Sequence, residues 1–124
     1  MARLIATVAA VAVVVSSFAV NTNIALGHER RAVGPYTFVV GWLNEPAYVN
    51  IMNSLDLTVT ETSGAKAVEG LDKTLNADLT FGGTTTAQQL TLAARFGLPG
   101  HYSGYVLPTK VGDYTFHITG AVAR

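Results

Sequence analysis

From Tyr36 onward the apolar residues recur at every second position, and no stretch beyond residue 27 carries a 3.6-residue repeat. A period of two is that of a strand, whose successive side chains point to opposite faces. Tyr36, Phe38, Val40 and Trp42 share one face of a first strand, and Thr37, Val39, Gly41 and Leu43 share the other. Apolar residues on both faces predict a strand buried on both sides for part of its length. Asn44-Glu45-Pro46 ends it, because proline cannot donate to a ladder. Ser54 to Thr60 alternates more cleanly, with Leu55, Leu57 and Val59 inward. Leu75, Ala77, Leu79 and Phe81 repeat the pattern, and Leu90 and Leu92 read as a further strand. Gly100 to Leu107 and Asp113 to Thr119 are the last two, with Tyr114, Phe116 and Ile118 inward in the final one.

Turn chemistry separates these runs. Gly82-Gly83 offers a two-residue hairpin turn, since glycine supplies the positive φ such turns need. That turn sets Leu79 opposite Thr86, Ala77 opposite Gln88 and Leu75 opposite Leu90. Only the last pair matches apolar with apolar, so a longer loop is the alternative. Strands at this spacing, roughly one every 8–12 residues, predict an all-β antiparallel sandwich of about six to seven strands.

The chain has 124 residues, which predicts one domain. Its formal net charge is zero, so it offers no electrostatic case for nucleic acid or for an anionic membrane. It has no cysteine, which excludes disulfides, thiolate nucleophiles and cysteine-ligated zinc. No Asn-x-Ser/Thr acceptor occurs.

Residues 1–27 have a different character. Arg3 precedes an apolar run from Leu4 to Val20, followed by Asn21, Thr22, Asn23, Ala25 and Gly27. A short positive region, an apolar region and a small-residue exit predict a signal peptide in helical form. Ser17-Phe18-Ala19 and Ala25-Leu26-Gly27 both fit a cleavage site, and the second makes His28 the mature N-terminus. A retained anchor is the alternative to cleavage. The domain is then 28–124, exported to a periplasmic, cell-surface or extracellular location, with no membrane insertion after cleavage.

The run Pro108-Thr109-Lys110-Val111-Gly112-Asp113-Tyr114-Thr115-Phe116 resembles the entry to the penultimate strand of immunoglobulin-like domains. There a tyrosine hydroxyl ties the corner to backbone a few residues upstream. The resemblance gives that role to Tyr114, bonded near Pro108 to Lys110, and a core position to Phe116. It also sends the last two strands to opposite sheets. A full sandwich of this type has a further strand after the corner strand, whereas this chain stops at Gly120-Ala121-Val122-Ala123-Arg124. Either the domain is truncated and lacks its last strand, or an edge stays open, which could pair with a protein partner or a membrane-associated complex.

The wider layout resembles CopC-like and YtkA-like copper-homeostasis domains. The matching pieces are Asn53-Ser54-Leu55-Asp56-Leu57-Thr58-Val59, Gly64-Ala65-Lys66-Ala67-Val68, Gly100-His101-Tyr102-Ser103-Gly104-Tyr105 and the corner. The resemblance implies a Cu(II) chelate in which the amine and imidazole of an N-terminal His28 act together, with a further ligand from His101, His117, Glu29 or Glu45. A methionine-rich metal loop, frequent in YtkA-like domains, is absent: beyond the initiator the only methionine is Met52.

His101 and His117 reach a shared ion only if their strands form a simple hairpin; the immunoglobulin-like topology separates them. Asn44-Glu45-Pro46-Ala47-Tyr48 after Trp42 offers a small ligand or partner patch, or else a plain turn with Trp42 filling the core rim. Catalysis draws little from the sequence. Gly100-His101-Tyr102-Ser103-Gly104 lacks the Gly-x-Ser-x-Gly spacing, and Asp56, Asp78 and Asp113 are single, solvated acids in this reading. Gly82-Gly83 lacks the lysine and helix of a phosphate loop. The expectation is therefore a non-enzymatic binding or interaction module without a cofactor. The alternative is a periplasmic copper-binding accessory protein, and a small secreted hydrolase is an outlying third reading.

Overall fold

The structure, a computed structural model, describes residues 12–22 and 28–123, with the backbone path alone for 12–22. The described residues form nine strands: β1 (Ala12–Thr22), β2 (Glu29–Val33), β3 (Tyr36–Trp42), β4 (Asn53–Glu61), β5 (Leu75–Phe81), β6 (Ala87–Leu90), β7 (Ala93–Ala94), β8 (His101–Val106) and β9 (Tyr114–Ala123). One 3-10 turn, Leu71–Lys73, lies between β4 and β5. Among the described residues no helix is long and apolar enough to cross a membrane.

Two antiparallel sheets enclose one core. The five-stranded sheet runs β2-β3-β4-β8-β7, and the four-stranded sheet runs β1-β9-β5-β6. The alternation seen in the sequence sets which residues face inward. Phe38, Val40, Leu55, Leu57 and Val59 come from the first sheet; Leu75, Ala77, Leu79, Phe116, Ile118 and Val122 come from the second; all are buried. Trp42 closes one end of this core, with its ring 5.0 Å from Phe116 and 5.6 Å from Tyr114, both edge-on. Edge-to-face contact suits the ring quadrupoles and adds to area burial. On β3 the outward Thr37 and Gly41 are buried as well, in keeping with a strand covered on both sides.

The corner forms as its spacing predicts. The Tyr114 hydroxyl donates to the Lys110 carbonyl oxygen at 2.7 Å and accepts from the Lys110 N–H at 3.0 Å. β8 and β9, on either side of it, lie in different sheets. A second tyrosine ties the opposite connection. Buried Tyr102 donates its hydroxyl to the Val68 carbonyl and accepts from the Leu71 N–H at 3.2 Å. Burial pushes the Tyr102 hydroxyl pKa up from its ordinary 10.0, which keeps the proton this bond uses.

Four expectations are corrected. The Gly82-Gly83 hairpin is a longer loop: Thr80 pairs with Ala87, Leu79 with Gln88 and Ala77 with Leu90. The shift of two positions keeps every face and sets two buried residues, Ala77 and Leu90, opposite each other. The strand expected around Leu90 and Leu92 divides, β6 pairing with β5 and β7 with β8, so the chain changes sheets there. Together with β1 and β2, that division raises the strand count above six or seven. The last strand runs on to Ala123 rather than ending near Thr119.

The fourth correction concerns the signal helix over 1–27. Its described part, Ala12–Thr22, is a strand that pairs antiparallel with β9 from Thr22↔Tyr114 to Ala12↔Ala123. With residues 12–22 present, β1 covers this edge of β9. Val13, Val14 and Val15 explain why the segment can serve as a strand, since β-branched residues fit a pleated surface. Pairing along the edge of β9 also satisfies backbone groups of both strands that would otherwise need water. The cleavage site Ser17-Phe18-Ala19 falls within β1, and Ala25-Leu26-Gly27 lies outside the described residues.

Candidate functional site

The outer face of the five-stranded sheet gathers polar groups that are remote in sequence. The register pairs Gly41 of β3 with Asp56 of β4, and Asp56 with Ser103 of β8. Immediately before β2, His28 lays its imidazole over Gly41. A Cβ at Gly41 would stand 2.8 Å from His28 Cγ, so only glycine lets the ring rest there. Seated on this floor, the ring has a carboxylate at each nitrogen. Nε2 lies 2.9 Å from Asp56 Oδ2, and Nδ1 lies 3.6 Å from Glu45 Oε1. Glu45 comes from the turn that Pro46 makes after β3, where the Glu45–Pro46 peptide is cis.

Asp56 also anchors the far side. Its Oδ1 is buried without a hydrogen bond, and Arg95 Nη1 sits 3.7 Å from it. The order along the face is Glu45, His28, Asp56, Arg95: two carboxylates alternating with an imidazole and a guanidinium. The side chains keep between 19% and 31% of their surface exposed, so the cluster is open to solvent. Two positions along β4, Thr58 Oγ1 lies 3.1 Å from His101 Nδ1.

The four metal-ligand candidates are therefore divided. His28 and Glu45 come together. His101 shares their sheet, with its Nδ1 on Thr58. His117 lies on β9 in the other sheet, where its Nδ1 is 3.8 Å from Asp78 Oδ1. This separation is the one the immunoglobulin-like topology implied. Glu29, the other candidate, holds Arg31 Nη2 at 2.6 Å. Among the described residues no group of three or more His, Cys, Asp or Glu is arranged to hold a metal ion.

Asp56 and Arg95 are the members that sequence reasoning missed. Asp56 read as a solvated single acid because its partners enter from chain positions far before and after it. The only local signal was its outward position on an otherwise cleanly alternating strand. Trp42 belongs to the core, as the turn reading of the loop after it has it, while Tyr48, Ile51 and Met52 project at 58–62% exposure. Chemically, the His28–Asp56 pair can orient an imidazole. Ser103, opposite Asp56 in register, is buried, and among the described residues no hydrogen bond joins it to His28. The arrangement is thus a positioned imidazole between carboxylates rather than a nucleophile with its base. No protein-family model, curated protein or solved structure matches this chain.

Proposed function

We propose that the protein is an exported, non-enzymatic binding module with an immunoglobulin-like sandwich, acting through the β9 edge of its four-stranded sheet. One observation carries the reading: the strand covering that edge, β1, lies inside residues 1–27, which read as a leader. Cleavage after Gly27 removes β1 and frees the ten-residue edge of β9. A freed edge presents a row of unpaired N–H and C=O groups, which is what strand addition uses. The Tyr114 corner, the passage from β8 to β9 between sheets and the sheet switch at β6–β7 support the immunoglobulin-like assignment. Intact mass and N-terminal sequence of the natively exported protein test the reading. A start at His28, or at Val20, is the expected result. Full-length chain in the membrane fraction would replace cleavage with anchoring and leave the edge covered.

The contact of Asp56 with His28 favours a second reading, a periplasmic copper-binding accessory protein. A carboxylate on one ring nitrogen fixes the tautomer and leaves the other nitrogen to ligate. With Nε2 on Asp56, Nδ1 is the free donor, and Glu45 Oε1 lies beside it. Cleavage before His28 adds an amine to give a nitrogen-and-oxygen donor set, which suits Cu(II). The layout resemblance to CopC-like domains points the same way. A chain beginning at His28 is expected to bind one Cu(II), more weakly as pH falls and protons compete for the nitrogens. His28→Ala and a chain beginning at Val20 are expected to lose that site, and Asp56→Asn to weaken it by roughly 10–100-fold. Equal weak binding by all four proteins in a Cu(II) titration would end this reading.

A further inference from the structure

The fit of β1 to β9 is more specific than an apolar leader requires. Val20 stands opposite Phe116, Phe18 opposite Ile118, Val15 opposite Gly120 and Val13 opposite Val122. Phe116, Ile118 and Val122 are fully buried in the core. Asn21 and Ala19 stand opposite Thr115 and His117, the positions between. An unbroken alternation could not produce this match, because the step from Phe18 to Val15 spans three positions and reverses parity. The ladder absorbs the extra residue: Ser16 and Ser17 lie against the single Thr119, where the register shifts. Two residues against one define a β-bulge. Export machinery reads bulk hydrophobicity, which many orders of alanine, valine and phenylalanine satisfy. Alternation broken at the bulge and resumed in phase is a requirement of strand pairing.

The other described edges are poorer acceptors. β2 carries Glu29, Arg30 and Arg31, and charge along an edge discourages pairing. β6 and β7 have four and two residues. β9 offers ten residues without proline, lysine, arginine or a carboxylate.

Building on the edge-binding reading above, we propose that β9 is a strand-acceptor site and that its ligand is an extended segment of another protein bearing the β1 pattern. That pattern is large apolar residues at alternate positions, small or polar residues between them, and one inserted residue after the position opposite Ile118. In the unprocessed chain β1 fills the site in cis; once it is removed, the same slot takes its strand in trans. Main-chain bonds supply affinity, and the alternate residues in register with Phe116, Ile118 and Val122 supply specificity.

The test uses the full chain with a specific protease site placed within residues 23–27, folded first and cut afterwards, so that β1 is held without covalent attachment. A labelled peptide of the 12–22 sequence is added in excess. Incorporation of the peptide at one per chain is the expected result, with restoration of the melting temperature if cutting alone has lowered it. A peptide lacking Ser17 keeps every apolar residue but breaks the phase beyond the bulge, and is expected to bind at least about tenfold more weakly. A peptide with Phe18→Asp and Val20→Asp is expected not to enter. No incorporation of the native peptide, or equal binding by the peptide without Ser17, would overturn the proposal. So would cut chains that pair with one another in preference to the peptide, because the occupant would then be a second copy. The outcome is independent of whether export removes β1 in the cell: an exported chain that keeps its first residues would count against the binding-module reading and leave the exchange result standing.

Discussion

Phe116→Ala is expected to lower the unfolding free energy by about 3–5 kcal/mol, the range for truncating a buried phenylalanine. The side chain is fully buried, touches Trp42 edge-on at a ring separation of 5.0 Å and stands opposite Leu79 across the β9–β5 ladder. Its neighbours belong to both sheets, so relaxation in one cannot fill the space without moving the other. The loss therefore combines transfer free energy with a cavity that stays open. A domain of this size has roughly 5–15 kcal/mol to lose, so the variant sits near the limit of folding. Chemical denaturation of the two proteins side by side checks this through the midpoint. A midpoint within error of the parent would show that the core closes over the gap and that Phe116 does not join the two sheets.

Gly120→Ala is expected to cost about 2–5 kcal/mol, combining left-handed backbone strain with overpacking. Gly120 has φ +128, a region that residues with a Cβ rarely adopt. A Cβ there would collide with the Thr74 carbonyl oxygen and stand 2.9 Å from Leu75 Cα, both backbone atoms that cannot swing aside. The position also adjoins the register shift between β9 and β1 while pairing with Leu75 of β5 on the other side. The substitution thus strains β9 against β5 at the point where its register with β1 shifts. Thermal and denaturant melts of the variant should show a large fall in stability with the strand signature of the far-ultraviolet spectrum retained at low temperature. Parent-like stability would mean that the 119–121 backbone shifts freely, and would remove the bulge as a fixed feature.

The sequence alone determined the features that depend on neighbouring residues. Alternation is local, so Phe38, Leu57, Leu79, Phe116 and Ile118 could be assigned to the core before any pairing was known. The Tyr114 corner was legible for the same reason: its hydroxyl bonds to Lys110, four residues away. Tertiary structure decided whatever depends on which strands lie side by side. His28 meets Asp56 across 28 residues, and Arg95, one residue past β7, reaches it because β7 pairs with β8 and β8 with β4. No spacing rule encodes such a meeting, because the register of non-local strands is set by packing of the whole core. The β5–β6 register shows the limit at short range, since two pairings kept the same faces and only core packing chose between them. β1 shows it most sharply. An apolar run rich in valine satisfies a leader and a strand equally well, and the edge of β9 made it a strand, because its backbone groups find partners there.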